Sequence, residues 1–241
     1  MNPLLPWTVQ HVTWRMGQSR RDRTWREAGR LLGRHGDESA IDGTHRGIIA
    51  SSTTCPEATA VSTWKIDPAH TDILFSAKHM MVTTVRGKFD VVEGELELDE
   101  AEPTNSRGEI RASAASVSTG QERRNDHLRS ADFLDAEHHP WVVAKATGIE
   151  RLGDRYRVQV DLTIRDQTRP VAFDCEFLGF YPAMSGSGRR AGFHFEATLS
   201  RNDWGLTWNM ALEAGGWLVG DEIRLEIDVA ADETAAVVAG A

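Results

Sequence analysis

The sequence predicts an all-β protein: an eight-stranded antiparallel β-barrel with one short helical connection and a disordered N-terminal extension. Three observations predict it. Runs in which apolar and polar side chains alternate with the two-residue period of a strand recur from Trp64 onward. Turn residues separate these runs at short intervals, which makes successive strands antiparallel neighbours. About eight strands with one apolar face each must close or sandwich to hide those faces, and closure also removes exposed edges.

The elements follow in order. Residues 1–60 are rich in Arg, Gly, Ser and Thr, with Trp7, Trp14 and Trp25 scattered among charges and no helical or strand period. Such a segment buries too little apolar surface to offset the entropy of ordering it. It is read as a disordered leader; a translation start placed too far upstream and a basic arm docking on a partner are the other readings. From Ile73, Phe75, Ala77 and His79 alternate with Leu74, Ser76 and Lys78. Residues 89–98 form a weaker strand in which Gly94 suggests a bulge or bend. Ile110, Ala112 and Ala114 make one short apolar face, and Val142, Ala144 and Ala146 another. Between them, residues 121–133 are the one convincing helical segment.

The cleanest period-2 run is Tyr156, Val158, Val160, Leu162 and Ile164 against Arg157, Gln159, Asp161 and Thr163. Val171, Phe173, Cys175 and Phe177 repeat it, as do Phe193, Phe195, Ala197 and Leu199, then Ile223, Leu225, Ile227 and Val229. Residues 186–192 read as a flexible hairpin loop. The expected organisation is an extension over 1–60, a barrel over 61–232 and a flexible tail over 233–241.

Composition narrows the function. The 241 residues carry a net charge of −9. Residues 1–60 hold eight Arg, no Lys and six acids, net +2, which leaves −11 for residues 61–241. An acidic body is a poor nucleic-acid binder, since phosphate contacts require Lys and Arg, and it argues against adsorption on an anionic membrane face. No stretch is long and apolar enough to span a bilayer, so no stable membrane insertion is expected. The first residues lack the basic start and apolar middle of a signal peptide, and a cytoplasmic protein is expected. Cys55 and Cys175 do not make a disulfide framework; the expected roles are an exposed thiol and a small core residue.

Chemistry-bearing patterns are sparse. The nine His include no His-x-x-x-His, and the adjacent His138 and His139 would point to opposite sides of an extended chain. No metal, cofactor or catalytic residue is expected. Ser185-Gly186-Ser187-Gly188 fails as a nucleophile elbow, and residues 186–192 fail the dinucleotide fingerprint. His79 closes an apolar alternating face, which fits either a buried imidazole with one hydrogen bond or a polar contact for a ligand's head group. Arg124, Asp126 and His127 fit either surface ion pairing or head-group binding.

Several separated segments, in order, resemble the YceI-like family of polyisoprenoid-binding proteins. They are Trp64-Lys65-Ile66-Asp67-Pro68-Ala69-His70-Thr71, Phe75-Ser76-Ala77-Lys78-His79 with Gly87-Lys88-Phe89, and Arg124-Asn125-Asp126-His127-Leu128-Arg129-Ser130-Ala131-Asp132-Phe133. Asp161-Leu162-Thr163-Ile164 with Arg169-Pro170-Val171, and Arg201-Asn202-Asp203-Trp204-Gly205-Leu206, complete the set. The resemblance spans roughly residues 64–231. It implies a lipocalin-like barrel whose apolar tunnel holds an isoprenoid chain, such as a quinone tail or a polyprenyl phosphate. Many members are exported to the periplasm, whereas this chain shows no recognisable signal peptide, and it carries Ala144 where the family commonly has a bulky aromatic.

The expected partner is therefore an isoprenoid or another long apolar small molecule, and the resemblance is compatible with a homodimer. The expected ligand-binding residues are Phe75, His79, Phe89, Leu128, Phe133, Val142, Ala144, Val158, Val160, Leu162, Ile164, Phe173, Phe193 and Phe195. An enzyme acting on a small amphiphile, with His79 or His70 as base, and a solid barrel serving as a structural module are the competing readings. The sequence contains no paired carboxylates or nucleophile–base motif to favour the enzyme.

Overall fold

Backbone amides and carbonyls of a strand need partners along both edges, and this chain supplies them by closing a sheet into a ring. The structure, a computed structural model, describes residues 61–182, 188–213 and 215–234. Its strands are β1 (Val61–Ile66), β2 (Asp72–His79), β3 (Thr83–Phe89), β4 (Val92–Asp99), β5 (Arg107–Ser113), β6 (Val117–Ser118), β7 (Trp141–Leu152), β8 (Arg155–Ile164), β9 (Gln167–Pro182), β10 (Arg189–Ser200) and β11 (Val219–Glu233). One helix, α1 (Glu122–Arg129), lies between β6 and β7.

These strands make eight walls. β2 pairs with β3 while β1 pairs with β4, so β1–β2 and β3–β4 are two bent strands of one hairpin. β5 and β6 likewise pair with β4 and β3 in turn. The remaining strands pair antiparallel in sequence, and β11 returns to pair with both β1 and β2. The expected eight-stranded antiparallel barrel with one helix is the observed architecture.

The bends occur where side-chain hydroxyls replace interrupted backbone pairing. At the β1–β2 corner the Asp67 amide donates to the Ala230 carbonyl at 2.8 Å. The Thr71 hydroxyl accepts from the Ala230 amide at 3.1 Å and donates to the Ala230 carbonyl at 3.3 Å. Asp67 holds the same corner by accepting from the Ala69 amide and pairing with His70. At the β3–β4 corner the Ser116 hydroxyl accepts from the Val91 amide at 3.1 Å and donates to the Ser113 carbonyl at 2.7 Å.

Several sequence expectations change. Residues 89–98 are not one strand: the chain breaks at Asp90 and Val91, and β3 extends back to Thr83. Gly94 marks no bulge, since β4 and β5 stay in register across it. It is a close approach instead, because a Cβ there would lie 2.4 Å from the Glu109 carbonyl oxygen. The register shifts fall at Ala146/Gly148, Gly192/Phe193 and Val219/Ile223. The helix is shorter than expected because Ser130 turns extended, with φ −70° and ψ 172°.

Of residues 186–192, those from Arg189 onward are strand rather than loop, and 186–187 lie outside the described residues. The expectations for residues 1–60, including Cys55, and for 235–241 also lie outside them. His138 and His139 do not point apart: both turn toward Asp135, at 2.9 and 3.9 Å.

Alternation sorts the side chains. Arg157 and Asp174 pair on the outer surface of β8 and β9, while Tyr156, Val158, Val160 and Leu162 are buried inside. Cys175 is buried next to this wall, and desolvation pushes its thiol pKa up to about 12, where it is unreactive.

Two predictions follow from the corners and the outer surface. Thr71→Val should cost about 1–3 kcal/mol, measured by denaturant unfolding, because it strips the Ala230 amide of its acceptor. On the outside, the Asp228 hydrogen bond, at 2.7 Å, raises the His194 pKa above the ordinary 6.5. A raised imidazole pKa contributes stability below about 6.5 that is lost as pH rises through the folded value. The melting-temperature gap between wild type and His194→Gln should therefore be wider at acidic than at alkaline pH.

Candidate ligand-binding lumen

Closure makes an inside, and the two ends of that inside differ. At the end holding the start of β1 and the end of β11, large side chains fill the ring. Trp64 is fully buried there with Ala191 and Ala231. Arg189 enters the same end between Glu100 and Glu233, with N–O distances of 2.6 and 2.7 Å. Its guanidinium stacks over Trp64 and Phe180 at 5.3 and 5.0 Å. These hydrogen bonds raise the Arg189 pKa and lower that of Glu233, so both stay charged. Fork-to-carboxylate pairing of this kind is strong and directional, and it plugs this end.

The inner wall is uneven further along. Val158, Val160, Leu162 and Phe173 are buried against one another and their neighbours, as is Phe193. Around the rest of the ring the inward side chains are only half-buried: Ile73, Phe75, Ala77 and His79 on β2, Val85 and Phe89 on β3, Val142, Ala144 and Ala146 on β7, and Ile223, Leu225 and Ile227 on β11. Phe195 and Ile164 are half-buried as well. These residues share one face by register, since Phe75 lies opposite Leu225 and Gly87, and Ala144 opposite Ile110 and Leu162. Apolar side chains that face inward yet stay solvent-accessible line space that protein atoms do not fill. Phe75 also explains Gly87, because a Cβ there would meet the Phe75 ring at 2.4 Å.

The opposite end is covered in part by two connections. In the first, Asn125 is buried and its Oδ1 accepts from the amide and hydroxyl of Thr119 at 2.8 and 2.7 Å. Arg124 donates to the Thr119 hydroxyl and carbonyl, and Arg129 donates to the carbonyls of Ala115 and Val117. α1 is thereby tied to the end of β6, and Leu128 on it is half-buried. The Arg124 guanidinium is thus engaged with Thr119. Asp126 pairs with Arg129, and His127 with Asp132.

The second connection, residues 201–218, is anchored by a buried cation. Arg201 is 3% exposed and donates to the carbonyls of Leu206, Trp208 and Gly220 and to the Asp221 carboxylate. Trp204 is buried beside it and donates from Nε1 to the Leu162 carbonyl at 3.0 Å. The two connections meet where the His127 ring sits 5.0 Å from Phe133 and 4.4 Å from Trp208. Phe133 is therefore buried in this cover rather than in the strand wall.

The structure thus gathers Phe75, Phe89, Val142, Ala144, Val158, Val160, Leu162, Ile164, Phe173, Phe193 and Phe195 on one inner surface, with His79 at its rim and Leu128 and Phe133 in the connection above. The expected ligand-binding residues omitted Ile73, Ile110, Ile223 and Leu225, although the alternation had already placed them on apolar faces, and Val85 of β3 was not read at all. Sequence reading also missed the Arg189 plug, whose acids lie far away in the chain. Among the described residues no three His, Cys, Asp or Glu side chains are grouped to hold a metal ion, and no helix is long and apolar enough to cross a membrane.

A closed antiparallel ring of eight strands around an accessible apolar interior defines a lipocalin-like barrel. Residues 64–231 match the YceI-like domain, and the chain belongs to that family. A UPF0312 protein of Staphylococcus epidermidis is 32% identical over 163 residues, 68% of this chain and 93% of its own length. A UPF0312 protein of Staphylococcus aureus is 29% identical over 166 residues, 69% of this chain and 95% of its own. Burkholderia cenocepacia BcnA aligns with a TM-score of 0.58 at 20% identity, over 68% of this chain and 98% of that one. The Campylobacter jejuni YceI protein aligns with a TM-score of 0.56 at 24% identity, over 65% and 90%. At these identities the two structures show a shared fold.

The cover makes a prediction of its own. Arg201→Met should cost on the order of 3 kcal/mol in denaturant unfolding, because several buried carbonyls and one carboxylate lose their donor together.

Proposed function

We propose that the barrel binds and carries an isoprenoid-type lipid, a quinone tail or a polyprenyl phosphate, with its apolar chain in the lumen. The observation that carries this reading is the half-exposed apolar inner face inside a closed ring. A solid module would bury those side chains against each other, as the β8 and β9 wall does. Membership of the YceI-like family supports the same reading. On it the protein binds and releases its ligand without transforming it. The plug at the Arg189 end makes the lumen blind, so the chain enters from the end that His79 borders. His79 and the connection carrying Leu128 and Phe133 then lie closest to the head group.

The test exploits the unevenness of the wall. Ala144 is half-buried, so Ala144→Phe should add a ring to unfilled space and leave the melting temperature of the empty protein nearly unchanged. Val160 is packed, so Val160→Trp should cost about 1–3 kcal/mol from overpacking. Native mass spectrometry after incubation with a long-chain prenol in mild detergent should show uptake by wild type and loss of uptake in Ala144→Phe. Wild type that takes up no prenol, together with a clearly destabilised Ala144→Phe, would return the barrel to the solid-module reading.

A further inference from the structure

We propose that the lumen is a short ruler: it holds about three to four isoprene units, counted up from an aromatic floor, and so selects prenyl chains of that length. The inference rests on the carrier reading and names the size class of its ligand.

The floor shows as a change in burial that three neighbouring strands share. Thr71, just before β2, is buried, and so are Phe193 on β10 and Val229 on β11. One inward position nearer the mouth, Ile73, Phe195 and Ile227 are all half-buried. The change falls at one register row, since Phe193 lies opposite Val229, and Ile227 lies opposite both Phe195 and Ile73. Below that row aromatic rings fill the barrel. Phe195 stacks on Phe193 at 6.1 Å, Phe193 meets Phe177 at 5.3 Å, and Phe177 meets Phe180 at 5.0 Å. Phe180 stacks on Trp64 at 5.3 Å, and Arg189 lies over both. This column joins the floor to the plug without a break. Each aromatic side chain has only two torsions, so the column yields little to a ligand pressing on it. A tunnel running the length of the barrel would need its inward positions to stay half-buried past Phe193, and they do not.

The depth above the floor follows from strand geometry. The accessible face of β2 runs from Ile73 to His79, six residue steps. At the rise of a strand that is about 20 Å along the wall. Barrel strands tilt from the axis, which reduces the depth to about 15 Å. An isoprene unit adds four chain bonds where an amino-acid residue adds three, so by scaling the extended residue it spans about 5 Å. The lumen therefore holds about three units fully extended and about four when the chain follows the slanted wall. A longer chain still binds, with its surplus outside the mouth. That surplus stays in water whether the chain is free or bound, and it adds nothing to affinity.

The experiment measures affinity against chain length. The probes are oligo(ethylene glycol) ethers of prenols with two to six isoprene units, kept below their micelle concentrations so that water is the common reference. Native mass spectrometry of the full chain with equimolar pairs of probes reads their relative affinity. In wild type the three-unit ether should outcompete the two-unit ether by about tenfold or more, because the added unit leaves water for the lumen. The six-unit ether should hold no more than about a twofold advantage over the four-unit one, because both fill the same depth. Ile73→Trp adds a ring to the half-buried floor row and should move the last length that gains affinity down by about one unit. Phe195→Ala removes a floor ring and should move it up by about one unit. Should Phe195→Ala fail to fold, Ile73→Trp alone decides. Affinity that keeps rising at full steps from four to six units in wild type would overturn the ruler and leave the carrier intact. An Ile73→Trp protein with the wild-type length preference would overturn it too. Wild type that binds none of the ethers sinks the carrier reading, and the ruler with it.

Discussion

The fold depends on one seam. A strand at the edge of an open sheet leaves its amides and carbonyls unpaired, and β11 removes the last such edge by pairing with two short strands in succession. Its last three residues, Ala231 to Glu233, join β1 and the earlier ones join β2. The join is discontinuous because β1 and β2 meet at an angle. At that angle the Thr71 hydroxyl serves the Ala230 amide and carbonyl in place of a strand neighbour. The Asp67-Pro68-Ala69-His70-Thr71 segment is thus a closure device, and every inward-facing side chain owes its environment to the ring that it completes. Without closure the alternating faces would still exist, but they would bound no lumen.

The ring makes its two ends equivalent in principle, and side chains make them different. One end holds Trp64 and Phe180 beneath an arginine clamped by two glutamates. These charges stay partly exposed, and each carboxylate finds a donor on the same guanidinium. Among the described residues the other end holds no such arginine clamp. It is roofed by connections whose own polar anchors, Asn125 and Arg201, are buried beneath them. Arg201 satisfies carbonyls that a loop folded inward would otherwise leave without partners. The result is an interior with a direction, closed by ion pairing at one end and approached through loops at the other.

Alternation by itself determined the class of fold, the strand count and most of the inner face, because a two-residue period states which side chains share a side. Tyr156, Val158, Val160 and Leu162 were legible in this way, and so was Phe75. The short helix was legible in place but not in length, since Ser130 ends it through a backbone choice that no periodicity records. What the tertiary structure decided was everything that depends on residues distant in sequence. The break at Asp90 and Val91 follows from Ser116, twenty-five residues away, and Gly94 is required by the passing Glu109 carbonyl rather than by its own strand. Whether Ala144 and Val160 border a void or a packed wall was equally invisible, because alternation gives the direction of a side chain and not the distance to whatever faces it. That distance is set by the curvature of the closed ring, which exists only once the first and last strands have paired.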